Sequence, residues 1–214
     1  INNFSGTVLV TKNGSVLLKK SYGLADYEWN IKNTIDTKYS LASVSKQFTA
    51  AAILQLVDRK KISLNDRLSQ FFPTFPKGDD ITIHMLLCHM SGLQMDFDEL
   101  YLNNVSITKD EVLKYIEKKE LLFIPGSNTA YSNIGYYLLA RIIEQSSGES
   151  YAEYLEQNIF KKTNMNNTGV TNNTELINKR AKNYIVTDNI YSNNPYINWT
   201  YNIGHDGIYS TVED

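Results

Sequence analysis

The stretch YSLASVSKQFTAAAILQLV, residues 39–57, places a serine three positions before a lysine just as a long apolar run begins. A serine hydroxyl is a poor nucleophile until a neighbouring base takes its proton, and Ser-x-x-Lys on a helix puts both side chains on one face within reach. A helix N-terminus adds unpaired N–H groups that favour developing negative charge. Spacing alone proves little, because Ser106-Ile107-Thr108-Lys109 repeats it ahead of an ordinary amphipathic surface helix. Context separates the two. QFTAAAILQLVDRKK, following Ser43 and Lys46, is apolar on nearly all sides and carries cations in what reads as its last turn, where the helix dipole favours them. A buried central helix is expected, and a lysine in the first turn of such a helix is unusual without a purpose.

Working outward, the 214 residues are 42% hydrophobic and 21% charged, as in a soluble globular protein of one large or two small domains. Net charge is −2 with both signs interspersed, which leaves no footprint for nucleic acid or an anionic membrane surface. The expected partner is a small molecule or a peptide. A lone cysteine, Cys88, excludes an intrachain disulfide, and the longest apolar run, residues 50–57, is too short to span a bilayer. The chain opens directly on INNFSGTVLV, so a targeting segment has been removed or was never present, and the compartment is not legible from it.

Residues 5–11 alternate apolar and polar, KNG supplies a turn, and SVLLKKSYG returns; Asn13-Gly14 between two such runs predicts a hairpin. Helices are expected at about 83–90, at 108–119 with a Thr108/Glu111 capping box, and at 132–145 closed by Gly148. In the last, Tyr136, Leu139, Ile142 and Ile143 fall at helical spacing and mark its core face. Asn-rich stretches near 165–174 and 193–198 read as loops. A lone hairpin is marginal, so something further must complete the first sheet.

A second proton-handling group is expected near Ser43, and Tyr131-Ser132-Asn133, at the start of the 132–145 helix, is the candidate. Tyr-x-Asn recurs at Tyr101-Leu102-Asn103, Tyr191-Ser192-Asn193 and Tyr196-Ile197-Asn198, which read as surface turns. His84, Cys88 and His89 lie close together, but no matching Cys/His pair lies elsewhere; no metal is expected, and His89 reads as a packing or hydrogen-bonding residue at a helix end. No phosphate loop or paired acids stand out, and no cofactor is expected.

Taken in order, ASVSKQFTAAAILQLV, ITIHMLLCHMSGL, PGSNTAYSNIGYYLLARIIEQSSGESYAEYLEQNIF and GIYSTVED resemble the serine β-lactamase and penicillin-binding-protein superfamily. Its class C-like branch, with D-Ala-D-Ala carboxypeptidases and esterases, is the best match, and the resemblance runs over residues 4–214. It implies an α+β, β-lactamase/transpeptidase-like fold, an antiparallel sheet with a helical domain. Residues 1–42 would give the N-terminal hairpin of the sheet domain, 43–170 the helical domain, and 171–214 a return toward the sheet. It also implies Ser43 as the acylated nucleophile, Lys46 as its activating partner, Tyr131 as an aid to proton transfer and to deacylation, and Asn133 as a holder of the substrate amide that orients Lys46. The Ser43 N–H would be one oxyanion donor, a group worth about 3 kcal/mol in such sites.

The superfamily's third motif, Lys-Thr-Gly or His-x-Gly on a sheet strand, is matched on paper by His205-Asp206-Gly207. GIYSTVED reads as a helix-capping pattern and not a strand, so His205 is set aside, with substitution for the third motif kept as the lesser alternative. The expectation is a chain that stops before the third motif, the remaining strands and the closing helix, with a second chain or further polypeptide completing the sheet. The activity implied is acyl transfer through Ser43 on a D-Ala-D-Ala peptide, a β-lactam or an ester, outside the cytoplasm. The competing reading is a non-catalytic penicillin-binding-protein-like binding module or an inactive fragment.

Overall fold

The computed structural model describes residues 4–97, 106–188 and 190–214. Tyr101-Leu102-Asn103 lies outside these. Strands β1 (Gly6–Lys12) and β2 (Ser15–Tyr22) pair antiparallel through a two-residue turn in which Lys12 faces Ser15. Asn13 (φ 51°) and Gly14 (φ 77°) both take positive φ, the geometry that Asn-Gly adopts at little steric cost. Two further short antiparallel pairs are β3 (Leu24–Asp26) with β4 (Ile31–Lys32), and β7 (Tyr184–Thr187) with β8 (Ile190–Asn193).

A small sheet of order β5–β9–β6 carries the functional region: Tyr39–Ser40, Ile208–Ser210 and Gly169–Val170. Its middle strand corrects the reading of GIYSTVED as lacking a strand. Ile208 and Ser210 are buried, and Ser40 and Gly169 both pair with Tyr209 from opposite sides. The cap-like pattern is present just beyond it, where the Asp214 amide donates to Thr211 Oγ1 at 3.3 Å.

Helix α1 (Ser45–Asp58) starts two residues later than Ser43, which sits in a 3-10 turn, Ala42–Val44. It is one-sided: Lys46, Thr49, Ala52, Ile53 and Leu56 are buried, whereas Leu54 is 50% exposed. Its cations follow the helix, with Arg59 as the C-terminal cap. The helix α2 (Ile83–Leu87) is shorter than its apolar run, because His89 takes a left-handed turn (φ 58°) that redirects the chain. Helix α3 (Lys109–Glu117) carries the Thr108/Glu111 capping box.

Helix α4 (Asn133–Ser147) runs from the Ser132 cap to Gly148 at φ 78°. Its burial extends beyond the four residues that the spacing marks, to Ile134, Tyr137, Leu138 and Ala140, because α1, α2 and α5 (Tyr151–Leu155) pack around it. Truncating a core residue here, such as Leu139, removes contacts worth about 2–5 kcal/mol.

The segment before β9 lies tight against this pair of helices. A Cβ on Gly204 (φ 84°) would collide with the Tyr136 carbonyl oxygen and crowd Ala140. The Gly204 carbonyl meanwhile accepts from Thr49 Oγ1 of α1 at 2.6 Å. Gly204→Ala is therefore expected to destabilise the protein by about 2–4 kcal/mol, the combined cost of overpacking and a left-handed alanine. Denaturant unfolding measures this, and a change under 1 kcal/mol would show that the segment yields freely.

Candidate active site

Leu41 ends the β5 segment by donating its N–H to the Ile208 carbonyl at 2.8 Å. Ala42 then turns the chain at φ 46°, a conformation that costs an L-residue roughly 1–2 kcal/mol, and Ser43 follows on the 3-10 turn into α1. The result is an exposed hydroxyl at a strained elbow. One turn further along, Lys46 is only 7% exposed. The two side chains meet, Lys46 Nζ donating to Ser43 Oγ at 3.1 Å.

Lys46 has two other partners, Asn133 Oδ1 at 2.7 Å and the His205 carbonyl oxygen at 3.1 Å. Its Nζ also lies 4.7 Å from the Tyr131 ring centroid and 5.6 Å from that of Tyr136, close enough for both ring faces to attract a cation. Both oxygen partners other than Ser43 are carbonyls, which only accept. Those two carbonyls take two of the Lys46 hydrogens, and the third contact of the amine is Ser43 Oγ. Tyr131 reaches the same oxygen from the open side, its phenol donating to Ser43 Oγ at 2.8 Å. Two groups able to handle the serine proton thus converge on one exposed hydroxyl.

The Tyr131–Asn133 segment is held by backbone and side-chain bonds to residues 89–96. The Ala130 N–H donates to the His89 carbonyl at 2.9 Å, the Ser132 N–H to His89 Nδ1 at 3.0 Å, and the Asn133 N–H to the Met95 carbonyl at 2.8 Å. His89 also packs against the Tyr131 ring at 4.5 Å between centroids. Its accepting Nδ1 requires a neutral ring, and burial, helped by the Lys46 charge, lowers its pKa. Asn133 Nδ2 donates to Asp96 Oδ1 at 2.7 Å, a residue that no sequence pattern had marked. Asp96 follows SGLQM with no spacing signal; only its place beside Asn133 reveals it.

The other matches to these patterns separate cleanly. Lys109 Nζ is engaged with Glu144 on the surface at 2.7 Å, away from Ser106. Tyr191 stacks on Tyr27, and the Tyr196 hydroxyl donates to Asn173. Cys88 Sγ lies 3.6 Å from His84 Nε2 while His89 serves the Tyr131 segment, and no group of three potential metal ligands occurs among the described residues.

His205 contributes its backbone and not its ring. The ring is 3% exposed, with Nε2 3.2 Å from Asn202 Oδ1 and Phe97 packed beside it. Burial first, and the Lys46 charge second, push its pKa down to about 3.

An exposed serine at the foot of a one-sided helix, backed by a buried lysine and faced by a tyrosine and an asparagine at the start of a second helix, defines a protein of the serine β-lactamase and penicillin-binding-protein superfamily. Residues 3–214 match the Beta-lactamase family model, and the chain belongs to that family. Protein flp of Staphylococcus aureus (strain MRSA252) is 35% identical over 173 residues, covering 78% of this chain and 35% of that protein. Among solved structures, the penicillin binding protein from Bacillus halodurans superposes with a TM-score of 0.87 at 32% identity, over 98% of this chain and 66% of that one. D-amino acid amidase from Ochrobactrum anthropi SV3 gives 0.83 at 26% identity, over 96% and 60%. The chain thus spans about a third of the length of flp and under two thirds of the amidase.

The buried ring of His205 sets a pH dependence. In the unfolded chain a histidine takes a proton near pH 6.5, whereas the folded protein resists this down to about pH 3, so below pH 6.5 the unfolded state binds more protons. Stability therefore falls on acidification, by about 2–3 kcal/mol from this group between pH 7 and 4.5. Unfolding midpoints of the wild type and His205→Gln at both pH values test it; parallel declines would remove His205 as the cause.

Proposed function

We propose that this protein is a serine hydrolase working through a Ser43 acyl-enzyme on a D-Ala-D-Ala peptide, a β-lactam or an ester. One observation carries the reading: a single exposed hydroxyl lies 3.1 Å from the Lys46 amine and 2.8 Å from the Tyr131 phenol. Neutral Lys46 takes the Ser43 proton as Oγ attacks the carbonyl carbon. Tyr131, on the open side, passes a proton to the leaving group and, after acylation, helps water attack the ester. Asn133 holds Lys46 through Oδ1.

The names of the solved neighbours, among them a penicillin binding protein and an amidase, support acyl transfer at carboxyl carbon as the shared chemistry. A cell-wall peptide as substrate would place the protein outside the cytoplasm, in the periplasm or on the cell surface. We also assign completion of the first sheet to further polypeptide, from the same chain or a second one. The basis is the exposed apolar surface of the hairpin, where Val16 and Leu17 are 58% and 64% exposed.

Intact-protein mass after incubation with a penicillin and with an activated ester tests the reading, with Ser43→Ala as control. The expected result is a covalent adduct on the wild type alone, whose lifetime separates a penicillin-binding protein from a fast hydrolase. Lys46→Ala is expected to slow adduct formation by a factor of about 10²–10⁴ while circular dichroism shows the fold retained. An unchanged rate would remove lysine from the mechanism, and no adduct on the folded wild type would favour a binding module.

A further inference from the structure

Three polar side chains on the buried face of α1 reach one strap of backbone. Ser45 Oγ accepts the Ile208 N–H at 3.3 Å, Lys46 Nζ donates to the His205 carbonyl at 3.1 Å, and Thr49 Oγ1 donates to the Gly204 carbonyl at 2.6 Å. Lys46 and Thr49, neighbours on one helix face, thus hold two successive carbonyls. The fit leaves no slack at Gly204, where even a Cβ would strike the Tyr136 carbonyl oxygen. Behind Thr49 stands a second hydroxyl. Tyr151, the first residue of α5 and 1% exposed, brings its phenol oxygen to 2.7 Å from Thr49 Oγ1, and its own N–H is tied to Glu144 Oε1 of α4 at 3.1 Å.

Chemistry fixes the direction of both hydroxyl bonds. The Gly204 carbonyl only accepts, so the single Thr49 hydrogen goes to it, and the phenol donates to Thr49. Burial pushes proton loss from Tyr151 above the usual tyrosine range, so that hydrogen stays in place. A threonine inside a helix can instead turn its hydroxyl back to the carbonyl four residues earlier, here that of Ser45. Turning would strand the buried phenol, so Tyr151 holds the threonine on Gly204.

We propose that Tyr151 is a positioning residue for the Ser43 reaction: acting through Thr49 and Gly204, it sets where the next carbonyl, that of His205, meets the Lys46 amine. The inference rests on the acyl-enzyme reading with Lys46 as the activating partner. Tyr151 makes and breaks no bond in the reaction. Its hydroxyl and that of Thr49 each donate onward, and such bonds in series strengthen one another. A shift of the strap moves the amine against Ser43 Oγ, and a misplacement of about 1 Å costs on the order of 10²-fold in rate.

The test separates the limiting acylation rate of the full-length protein from its half-saturation concentration, with benzylpenicillin and with 4-nitrophenyl acetate. Tyr151→Phe, which removes only the phenol oxygen, and Thr49→Val, which keeps the shape, are each expected to lower the limiting rate about tenfold while half-saturation stays within about twofold of wild type. Thr49→Ser restores the hydroxyl and is expected to recover the rate to within about threefold of wild type. The double variant Tyr151→Phe/Thr49→Val is expected to be no slower than Thr49→Val, because either change breaks the same relay. Ile143→Val, a fully buried core change outside the relay, serves as the control that lowers the unfolding midpoint without slowing acylation. Where one of the two single variants does not fold, the other decides. Unchanged limiting rates, no recovery in Thr49→Ser, or losses that multiply in the double variant overturn the proposal, while a wild-type adduct on Ser43 leaves the acyl-enzyme standing. No adduct on the folded wild type brings down both.

Discussion

A buried amine must be satisfied on every side, and at Lys46 that requirement is met by one near and two distant parts of the chain. Ser43 is three residues away, Asn133 begins helix α4, and the His205 carbonyl belongs to the segment leading into β9. Water is largely excluded at 7% exposure, so losing any one partner leaves a buried polar group unpaired at a cost of about 1–3 kcal/mol. The same bonds that make the amine tolerable fix where its lone pair points once it is neutral. Stability and site geometry therefore draw on one set of contacts, and the packing of α1 against α4 is also the aiming of the amine.

The proposed nucleophile is placed by a different device. Lys46 is held by bonds on all sides, whereas Ser43 is held by backbone geometry, a left-handed Ala42 between the β5–β9 pairing and the start of α1. Such a conformation persists only where its surroundings over-determine it. Here the Leu41–Ile208 bond anchors one side and the buried face of α1 the other. Had α1 begun at Ser43, the hydroxyl would follow the helix surface; the 3-10 turn instead presents it in the open, where Tyr131 meets it.

Much of this was legible from side chains with local jobs. Asn13-Gly14 names its turn, Thr108 with Glu111 names a helix start, and Gly148 names an end, because each acts on its own neighbours. Ser43, Lys46, Tyr131 and Asn133 were legible as a set, and the structure brings all four together. What was not legible has a common cause. The third partner of Lys46 is a backbone carbonyl, which every residue possesses, so His205 drew attention for its ring while its peptide oxygen reaches the amine. The strand Ile208–Ser210 has three residues and is defined by partners 40 and 170 positions along the chain, not by alternation within itself. Asp96 stands in no motif, and its meaning comes from the atom it faces.

That atom explains why the asparagine cannot turn over. Amide oxygen and nitrogen are close to equal in size, and packing alone would not choose between the two orientations of Asn133. Its neighbours do choose: Lys46 brings hydrogens to one end, and the Asp96 carboxylate brings only lone pairs to the other. Reversing the amide would set nitrogen against amine and oxygen against carboxylate, losing two bonds and gaining two repulsions. The carboxylate thus acts at a distance on the Lys46 amine, holding one of the two carbonyl acceptors that leave Ser43 as its third contact.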